Sequence, residues 1–485
     1  MTELIFREAT AKDAPQIQAL MQASFRAMDS RPDWTGHAEL AANFKVSVDE
    51  VLATLAKEDT VTLVAMPASG GEDADRLIAT IDVSKRGSDV GRLSMIAVDE
   101  RFQQGGVGRK VLQYAEDYCR KSWGVKKFSL NALSTRPALN AWYLRPIMDS
   151  TYNVLVTGSA GHLGTALMLS LPSLGAYKPF GIDILASTTT NAVGSVSDRA
   201  FIRSLLQSSS ITHIIHAATL HKPHVESHTK EQFVETNITG AVVLLEEAAA
   251  QLGEKIESFL FLSTTSSFGT ALSPKPGSPA AWIHEGVVPQ PKNIYGVTKV
   301  AAEDMCFLVQ KQTGLPVLVL RTSRFFPEED DDEDRRAALA DDNLKVLELA
   351  YRRVDVEDIV RACVCAMAKA KQLRWGKYII SAPPPFKNDQ ATLAGLDRDP
   401  ESVLKSGILP GIEDVFAAKG WKYLRRIDRV YDSQKAVRDL GWEPKYTLAN
   451  VVEMLARGED WKSELTNKVG KKGYHAVSTG VYTKR

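Results

Sequence analysis

The chain has 485 residues, enough for more than one domain, and its hydrophobic content of 44% and charged content of 24% are ordinary for a globular protein. Its 59 basic and 59 acidic residues balance, without the basic excess typical of proteins that bind nucleic acid or a membrane surface. No apolar run has membrane-spanning length, the first residues lack a signal-peptide core, and the four cysteines show neither disulfide nor zinc spacing. The composition therefore predicts a cytoplasmic protein without a nucleic-acid or membrane partner.

The first 147 residues predict an α/β domain. Apolar periodicity indicates a helix over 11–28 and strands over 4–8, 61–66, 77–83 and 92–98. After the strand that ends at Val98, a glycine-rich turn from Gln103 to Arg109 leads into a helix over 110–121. Main-chain N–H groups in such a turn, at the start of a helix, can bind a phosphate.

This segment resembles the acetyl-CoA-binding motif of the GCN5-related N-acetyltransferase family, over about residues 3–145. The resemblance implies acetyl-CoA contacts from Val98, Gln103, Gly105, Gly106, Val107, Gly108 and Arg109. Tyr143 has the position of the family's thiolate-protonating tyrosine, and a packing role for it is an equal alternative. The family continues with two more strands, whereas this chain passes directly to the next domain, so the domain is predicted to be incomplete.

The second domain begins with an apolar strand and a glycine-rich turn. The run from Asn153 to Thr157 predicts a buried strand, glycines follow at positions 158, 161 and 164, and a helix is expected over 165–174. Strand, glycine turn and helix together form the dinucleotide-binding fingerprint of a Rossmann unit. The predicted pyrophosphate-binding residues are Gly158, Ala160, Gly161, His162, Leu163 and Gly164.

Two aspartates follow at the ends of later strands. Asp183 ends the second strand, where a carboxylate accepts hydrogen bonds from the adenosine ribose and repels a 2′-phosphate, which favours NAD over NADP. The alternative is a solvated aspartate at a strand end. Asp198 has the position of an aspartate that contacts adenine.

Five histidines surround the strand expected over 211–218. They are His213, His216, His221, His224 and His228. A metal site requires rings that converge, but the set lacks a helical H-x-x-x-H pair, and a strand followed by a loop directs rings apart. A loop over the cofactor is therefore preferred, and no metal is predicted.

A hydroxyl, a phenol and an ammonium group are the predicted catalytic set. Thr264 follows the strand over 259–263, and Tyr295 and Lys299 lie four residues apart on one helical face. The ammonium group of Lys299 is expected to lower the pKa of Tyr295, and Thr264 or Thr265 to hydrogen-bond the same substrate oxygen. Such a set moves a proton while hydride passes to or from a nicotinamide. Tyr295 and Lys299 are also predicted to bind the cofactor, with Lys299 holding the nicotinamide ribose.

These motifs, in this order, resemble the extended short-chain dehydrogenase/reductase superfamily, and within it the NAD-dependent epimerase/dehydratase family, over about 152–460. The resemblance implies a doubly wound parallel sheet with a small substrate lobe from about residue 322, and substrates that are mostly nucleotide sugars. Asn237 matches a structural asparagine of the family, and Thr265 and Ser266 replace the acidic pair of a dehydratase, which disfavours dehydration. A solvated loop is expected over the acidic run 328–334.

The sequence thus predicts an α/β protein with an acetyltransferase-like domain over 1–147, an NAD-binding domain over 148–460 and a polar tail over 461–485. The preferred function is an oxidoreductase or epimerase acting at a hydroxyl-bearing carbon of a small molecule, with NAD, and with acetyl-CoA as a second candidate cofactor. A cofactor-sensing regulator, an acetyltransferase with a non-catalytic dinucleotide-binding partner domain, and two chains joined at Met148 are the alternatives. A homodimer is left open.

Overall fold

The computed structural model describes residues 4–26, 45–68, 76–87, 90–102, 107–125, 127–130, 152–175, 177–251, 256–327, 333–406 and 408–471. The chain divides into two compact units, Met1–Ser150 and Thr151–Arg485. Among the described residues, no helix is long and apolar enough to cross a membrane.

The first unit is a five-stranded sheet with helices on both faces. Its described elements are β1 (Leu4–Glu8), α1 (Ala14–Arg26), α2 (Val48–Leu55), β2 (Thr60–Pro67), β3 (Ala79–Arg86), β4 (Val90–Val98), α3 (Val107–Trp123) and β5 (Lys127–Leu130). The strands lie in chain order, antiparallel except for the parallel pair β4–β5. Val111 and Ala115 of α3 are buried on one face of the sheet, and Ile17 of α1 and Val51 of α2 belong to a second cluster. The α/β prediction is confirmed, and the helix predicted from residue 110 begins at Val107.

The second unit is built on a seven-stranded parallel sheet. The described strands of this unit, four of which (β11, β13, β14 and β16) lie outside the large sheet, are β6 (Tyr152–Thr157), β7 (Tyr177–Asp183), β8 (Ala192–Val193), β9 (Ile211–His216), β10 (Ser258–Thr264), β11 (Ala281–Ile283), β12 (Val317–Thr322), β13 (Arg324–Phe325), β14 (Arg353–Val354), β15 (Trp375–Ile380) and β16 (Arg429–Tyr431). The order in the large sheet is β15-β12-β10-β9-β6-β7-β8. The strand order therefore reverses beside β6, and a ligand of such a sheet binds at the carboxyl ends of the strands at this point.

Helices cover the sheet and build a second lobe. They are α4 (His162–Ser170), α5 (Arg199–Ser208), α6 (Lys230–Val234), α7 (Gly240–Ala250), α8 (Ile294–Thr313), α9 (Glu333–Ala338), α10 (Asp341–Glu348), α11 (Val356–Leu373), α12 (Gln390–Arg398), α13 (Pro400–Lys405), α14 (Ile412–Lys419), α15 (Gln434–Leu440), α16 (Leu448–Ala456) and α17 (Glu464–Val469). The run Phe259–Leu262 of β10 is buried throughout, as expected of a parallel strand covered on both faces. The doubly wound sheet is confirmed.

The second lobe is less simple than a continuous segment from residue 322. Its core includes Ala280 from upstream, and two small parallel sheets, β11–β16 and β13–β14, connect distant parts of the chain. After β14 the chain returns to the large sheet through α11 and β15 before it completes the lobe. The prediction of a lobe that simply follows residue 322 is therefore wrong in its boundaries.

The polar tail predicted from residue 461 is wrong for residues 461–471. Trp461 is only 4% exposed and packs in the lobe core, and α17 follows it. The Oγ atoms of Ser463 and Thr466 donate to the carboxylate of Asp355, at 2.6 and 2.9 Å. Residues 472–485 and 328–332 of the acidic run lie outside the described residues, and residues 333–334 begin α9 rather than a loop.

Candidate active site

The glycine turn after β6 is shaped by two close backbone approaches. Gly158 has a φ of +73°, and a Cβ there would lie 2.7 Å from the backbone nitrogen of Ala218. A Cβ on Gly164 would overlap the carbonyl oxygen of Gly158. Both positions therefore require glycine for the fold itself. The helix expected from residue 165 begins at His162, so its first N–H groups face this turn.

Gly161 is different, because the protein leaves the space beside it open. Its φ of −71° suits any residue, and among the described residues beyond its chain neighbours and its own helix backbone, a Cβ there would have only the Gly158 oxygen within 4 Å, at 3.2 Å. An open face at a helix N-terminus is the environment that a pyrophosphate requires. The turn therefore fits a dinucleotide.

Asp183 lies at the end of β7 with its carboxylate fixed by two main-chain groups. The backbone N–H of Ala160 donates to Oδ2 and that of Leu185 to Oδ1, both at 3.0 Å. A carboxylate oxygen accepts more than one hydrogen bond, so this group can also bind a ribose. Asp198 caps α5 by accepting from the N–H of Phe201 at 3.1 Å, a structural role that the sequence analysis did not assign, and its contact with adenine stays a prediction.

The structure brings Thr264 and Tyr295 together. Thr264 is the last residue of β10, and Tyr295 lies in the first turn of α8, which Asn293 caps by accepting from the N–H of Gly296. The side chain of Thr264 lies near enough to the Tyr295 phenol to influence its pKa, and Thr264 Oγ1 accepts from the N–H of Ser266 at 3.0 Å. Of the two candidate threonines, Thr264 is thus the one that pairs with the phenol.

Lys299 lies one turn further along α8 but does not act on Tyr295 as predicted. Its Nζ donates to the carbonyl oxygen of Leu262 at 2.7 Å and lies 4.0 Å from the centroid of the Phe261 ring. Burial lowers the pKa of Lys299 to about 7. Burial also raises the pKa of Tyr295 to about 12, although the side chain of Thr264 opposes this. The prediction of a lowered pKa for Tyr295 is wrong for this structure, because loss of hydration disfavours the phenolate.

Asn237 has the structural role that the resemblance implies. It lies in a π-helical turn, Glu235–Thr239, between α6 and α7. Its Oδ1 accepts from the N–H of Leu220 at 2.8 Å, and its Nδ2 donates to Thr298 Oγ1 at 3.0 Å. Asn237 therefore ties the loop after β9 to the helix that carries Tyr295.

The predicted histidines do not form one group: His216 lies in the sheet, and three others lie together in the loop after β9. His216 is buried on β9, where its Nδ1 is 2.7 Å from Thr157 Oγ1, and burial lowers its pKa to about 3. His221, His224 and His228 form a row of edge-to-face rings whose first member lies 6.4 Å from the Tyr295 ring, between centroids. Within the described ranges, no three metal-ligating side chains are grouped so that they could hold an ion.

A cluster of arginines in the second lobe was missed by the sequence analysis. Its members come from four segments and are Arg324, Arg335, Arg352, Arg353 and Arg429. Glu348 pairs with Arg352 and Arg353, and Asp428 pairs with Arg429 at 2.6 Å. Burial lowers the pKa of Arg353, and the charges of Arg324 and Arg352 lower it further, against Glu348.

The cluster lies close to the glycine turn. Phe325, next to Arg324 on β13, packs edge-to-face against His162 at the start of α4, with ring centroids 5.0 Å apart. No sequence signal marks it, because the arginines come together only through the β13–β14 pair and β16.

Four of the predicted acetyl-CoA contacts lie within the residues that the structure describes. Val107, Gly108 and Arg109 form the first turn of α3, and Val98 ends β4. The carbonyl oxygen of Val98 accepts from Ser24 Oγ at 2.8 Å. The remaining predicted contacts, Gln103, Gly105, Gly106 and Tyr143, lie outside the described residues.

Residues 154–380 match the NAD dependent epimerase/dehydratase family, and residues 33–145 match the Acetyltransferase (GNAT) family. This chain carries a domain of the NAD dependent epimerase/dehydratase family. The match to the epimerase domain spans the glycine turn, Thr264, Tyr295 and Lys299, so both resemblances stated from the sequence are confirmed.

Two curated proteins and one solved structure illustrate what the epimerase domain is similar to. UDP-glucose 4-epimerase of Erwinia amylovora is 24% identical over 32% of this chain and 47% of that protein, so the chain spans about half of that relative's length. UDP-glucuronate 4-epimerase 6 of Arabidopsis thaliana is 25% identical over 64% of this chain and 73% of that protein. The structure of UDP-glucuronic acid 4-epimerase from Bacillus cereus in complex with NAD is 20% identical, with a TM-score of 0.42 over 64% of this chain and 100% of that chain.

Proposed function

We propose that the unit Thr151–Arg485 is an NAD-dependent oxidoreductase or epimerase that acts at a hydroxyl-bearing carbon of a nucleotide sugar. The observation that carries this proposal is the buried Thr264–Tyr295 pair. It lies at the carboxyl end of β10, in the same parallel sheet whose β6 leads into the open glycine turn at Gly161. The hydroxyl and the phenol lie on the same edge of the sheet as the turn that can bind a dinucleotide. This arrangement supports proton transfer coupled to hydride transfer.

In the proposed reaction, Thr264 and Tyr295 hold the oxygen of the substrate hydroxyl, and the Tyr295 oxygen takes its proton. When bound, oxidised nicotinamide supplies the hydride acceptor. Because the pKa of Tyr295 is raised to about 12, the phenol must gain a nearby positive charge before it can act as a base near neutral pH. Lys299 is the nearest candidate along the helix, and its release from the Leu262 carbonyl would free its Nζ for this role.

The arginine cluster supports a phosphorylated substrate. Guanidinium groups bind phosphate oxygens in bidentate geometry. The two curated relatives above are named for UDP-glucose and UDP-glucuronate, which have this chemistry. A 4-epimerase is preferred over a dehydratase, because Thr265 and Ser266 follow Thr264 where a dehydratase would supply acidic side chains.

The test uses the purified full chain with NAD and a panel of UDP-glucose, UDP-glucuronic acid and UDP-N-acetylglucosamine. We expect one of them to be converted to its 4-epimer, or to reduce the NAD. Tyr295→Phe should abolish conversion and leave NAD affinity nearly unchanged, because the ring is retained and only the proton carrier is lost.

Tyr177→Phe is the matched control. Tyr177 opens β7 and stacks on Tyr152 at the amino ends of the strands, away from the reaction, so this variant should keep wild-type turnover. Substantial turnover by Tyr295→Phe would overturn the acid–base role. NAD binding without conversion of any sugar would favour the cofactor-sensing alternative.

A further inference from the structure

Glu303 extends the catalytic face of α8 by one turn. Tyr295, Lys299 and Glu303 follow at intervals of four residues, so the three side chains lie on the same side of the helix. Glu303 is 0% exposed, and an isolated buried carboxylate would be strongly unfavourable. Its environment must therefore supply compensating donors.

Donors from three parallel strands surround this carboxylate. Ser263 Oγ on β10 donates to Oε1 at 2.6 Å, Arg321 on β12 donates to Oε1 at 3.0 Å and to Oε2 at 2.6 Å, and Lys377 Nζ on β15 lies 3.0 Å from Oε2. Arg321 is itself buried and lies over the Phe268 ring at 4.9 Å. The carboxylate thus fixes the catalytic helix to the middle of the sheet.

The attachments to β10 flank the catalytic hydroxyl closely. Lys299 Nζ bonds to the carbonyl of Leu262, Ser263 Oγ bonds to Glu303, and the next residue is Thr264. A displacement of α8 along β10 would therefore move Tyr295 away from Thr264. In proton transfer, a misplacement of about 1 Å can cost about a hundredfold in rate.

We propose that Glu303 is a positioning residue, which holds α8 in register on β10 and stabilises the ammonium form of Lys299. This inference rests on the proposed roles of Tyr295 and Lys299. Burial drives Lys299 towards its neutral form, and the negative charge of Glu303 is the first influence that opposes it. Without that charge, Lys299 would lose its proton at a lower pH.

The experiment is a double-mutant cycle on the full chain, measured by thermal unfolding at about pH 6 and about pH 9, on either side of the lowered pKa of Lys299. At the lower pH, Glu303→Gln should lower the unfolding temperature about 2–4 °C more in the wild-type chain than in Lys299→Met. At the higher pH this difference should vanish, because Lys299 is then neutral. If Glu303 acted only through Ser263, Arg321 and Lys377, and not on the charge of Lys299, the coupling would not change with pH.

Asp304→Asn is the matched control. It removes the same charge from the next residue of α8, and Asp304 also lies near Lys377 Nζ, at 3.8 Å, but its side chain is 68% exposed. Asp304→Asn and Lys299→Met should therefore be additive at both pH values. If Glu303→Gln does not fold, Glu303→Gln/Arg321→Gln replaces it, because that pair removes both buried charges.

Once a sugar that the protein converts is identified, the pH above which turnover declines can be measured. It should fall by about one pH unit in Glu303→Gln and stay unchanged in Asp304→Asn. Additivity of Glu303→Gln and Lys299→Met at both pH values, or a coupling that does not change with pH, overturns the proposal. The cycle needs neither sugar nor NAD, so its outcome is separate from that of the proposed function, which fails if Tyr295→Phe still turns over.

Discussion

Gly161→Ala should weaken NAD binding without weakening the fold. The φ of Gly161 is ordinary, and an added Cβ would lie 3.2 Å from the Gly158 oxygen, about 0.2 Å short of ordinary contact. A shift that small is readily absorbed, and alanine also restricts the unfolded chain, so we expect stability to change by less than about 1 kcal/mol. In the NAD complex the same methyl group would occupy the approach of the pyrophosphate.

We therefore expect at least about a tenfold loss of NAD affinity, which corresponds to about 1.4 kcal/mol. Calorimetric titration of NAD into the full chain measures the affinity, and thermal unfolding of the same samples measures stability. Gly164→Ala is the contrasting variant, because its Cβ would overlap the Gly158 oxygen. Overpacking of that kind costs about 1–3 kcal/mol, so this variant should lose stability and affinity together.

Two results would refute this reasoning. If Gly161→Ala binds NAD as tightly as the wild-type chain, the pyrophosphate does not approach Gly161. If Gly161→Ala unfolds as readily as Gly164→Ala, the space beside Gly161 is needed by the protein itself, and the open face is not evidence for a ligand.

Three further predictions test cofactor choice, pH dependence and the division of the chain. NAD should bind more tightly than NADP, since Asp183 would repel a 2′-phosphate, and Asp183→Ser should reduce the ratio of the two affinities. Equal affinities of the wild-type chain for NAD and NADP would contradict the assignment of Asp183 to the adenosine ribose. The pKa of His216 is lowered to about 3, so below about pH 6.5 the unfolded chain binds a proton at His216 that the folded chain does not; between about pH 7 and about pH 4 the wild-type chain should therefore lose about 3 kcal/mol more unfolding free energy than His216→Gln, as measured by denaturant unfolding. Residues 148–485 alone should retain NAD-dependent turnover, whereas 1–147 should transfer acetyl groups weakly or not at all, because too few residues follow Tyr143 for the two strands that complete the acetyltransferase sheet. Robust acetylation of an amine panel by 1–147, or an insoluble 148–485, would refute the last prediction.

Local signals made most of the second unit predictable. A parallel strand covered on both faces is a continuous apolar run, as in Phe259–Leu262, and the glycines after Thr157 mark the turn through their backbone requirements. Thr264 and Tyr295 are far apart in sequence, but one ends a strand and the other begins a helix on the same edge of the sheet. Their pairing was therefore within reach of motif order alone.

Properties set by tertiary packing were not predictable in this way. The raised pKa of Tyr295 reflects burial by several elements, which the spacing of Tyr295 and Lys299 does not encode. Trp461 and Ser463 lie in a polar segment that composition marks as a tail, yet Asp355 from a distant helix cap supplies the partner that orders it. The polar composition of a segment does not indicate which distant residues will pair with it.

Glu303 combines a feature that local sequence predicts with one that only tertiary packing determines. The helical period alone places Glu303 on the same face of α8 as Tyr295 and Lys299, so the sequence predicts which face of the helix carries it. What it meets there was not, because Arg321 and Lys377 become its neighbours only through the order β10-β12-β15. Without those cations, a glutamate facing the core would be expected to take up a proton, and it could then stabilise no charge on Lys299. The strand order of the sheet thus determines whether Glu303 can keep Lys299 charged, and the acid–base chemistry of α8 depends on residues that no motif contains.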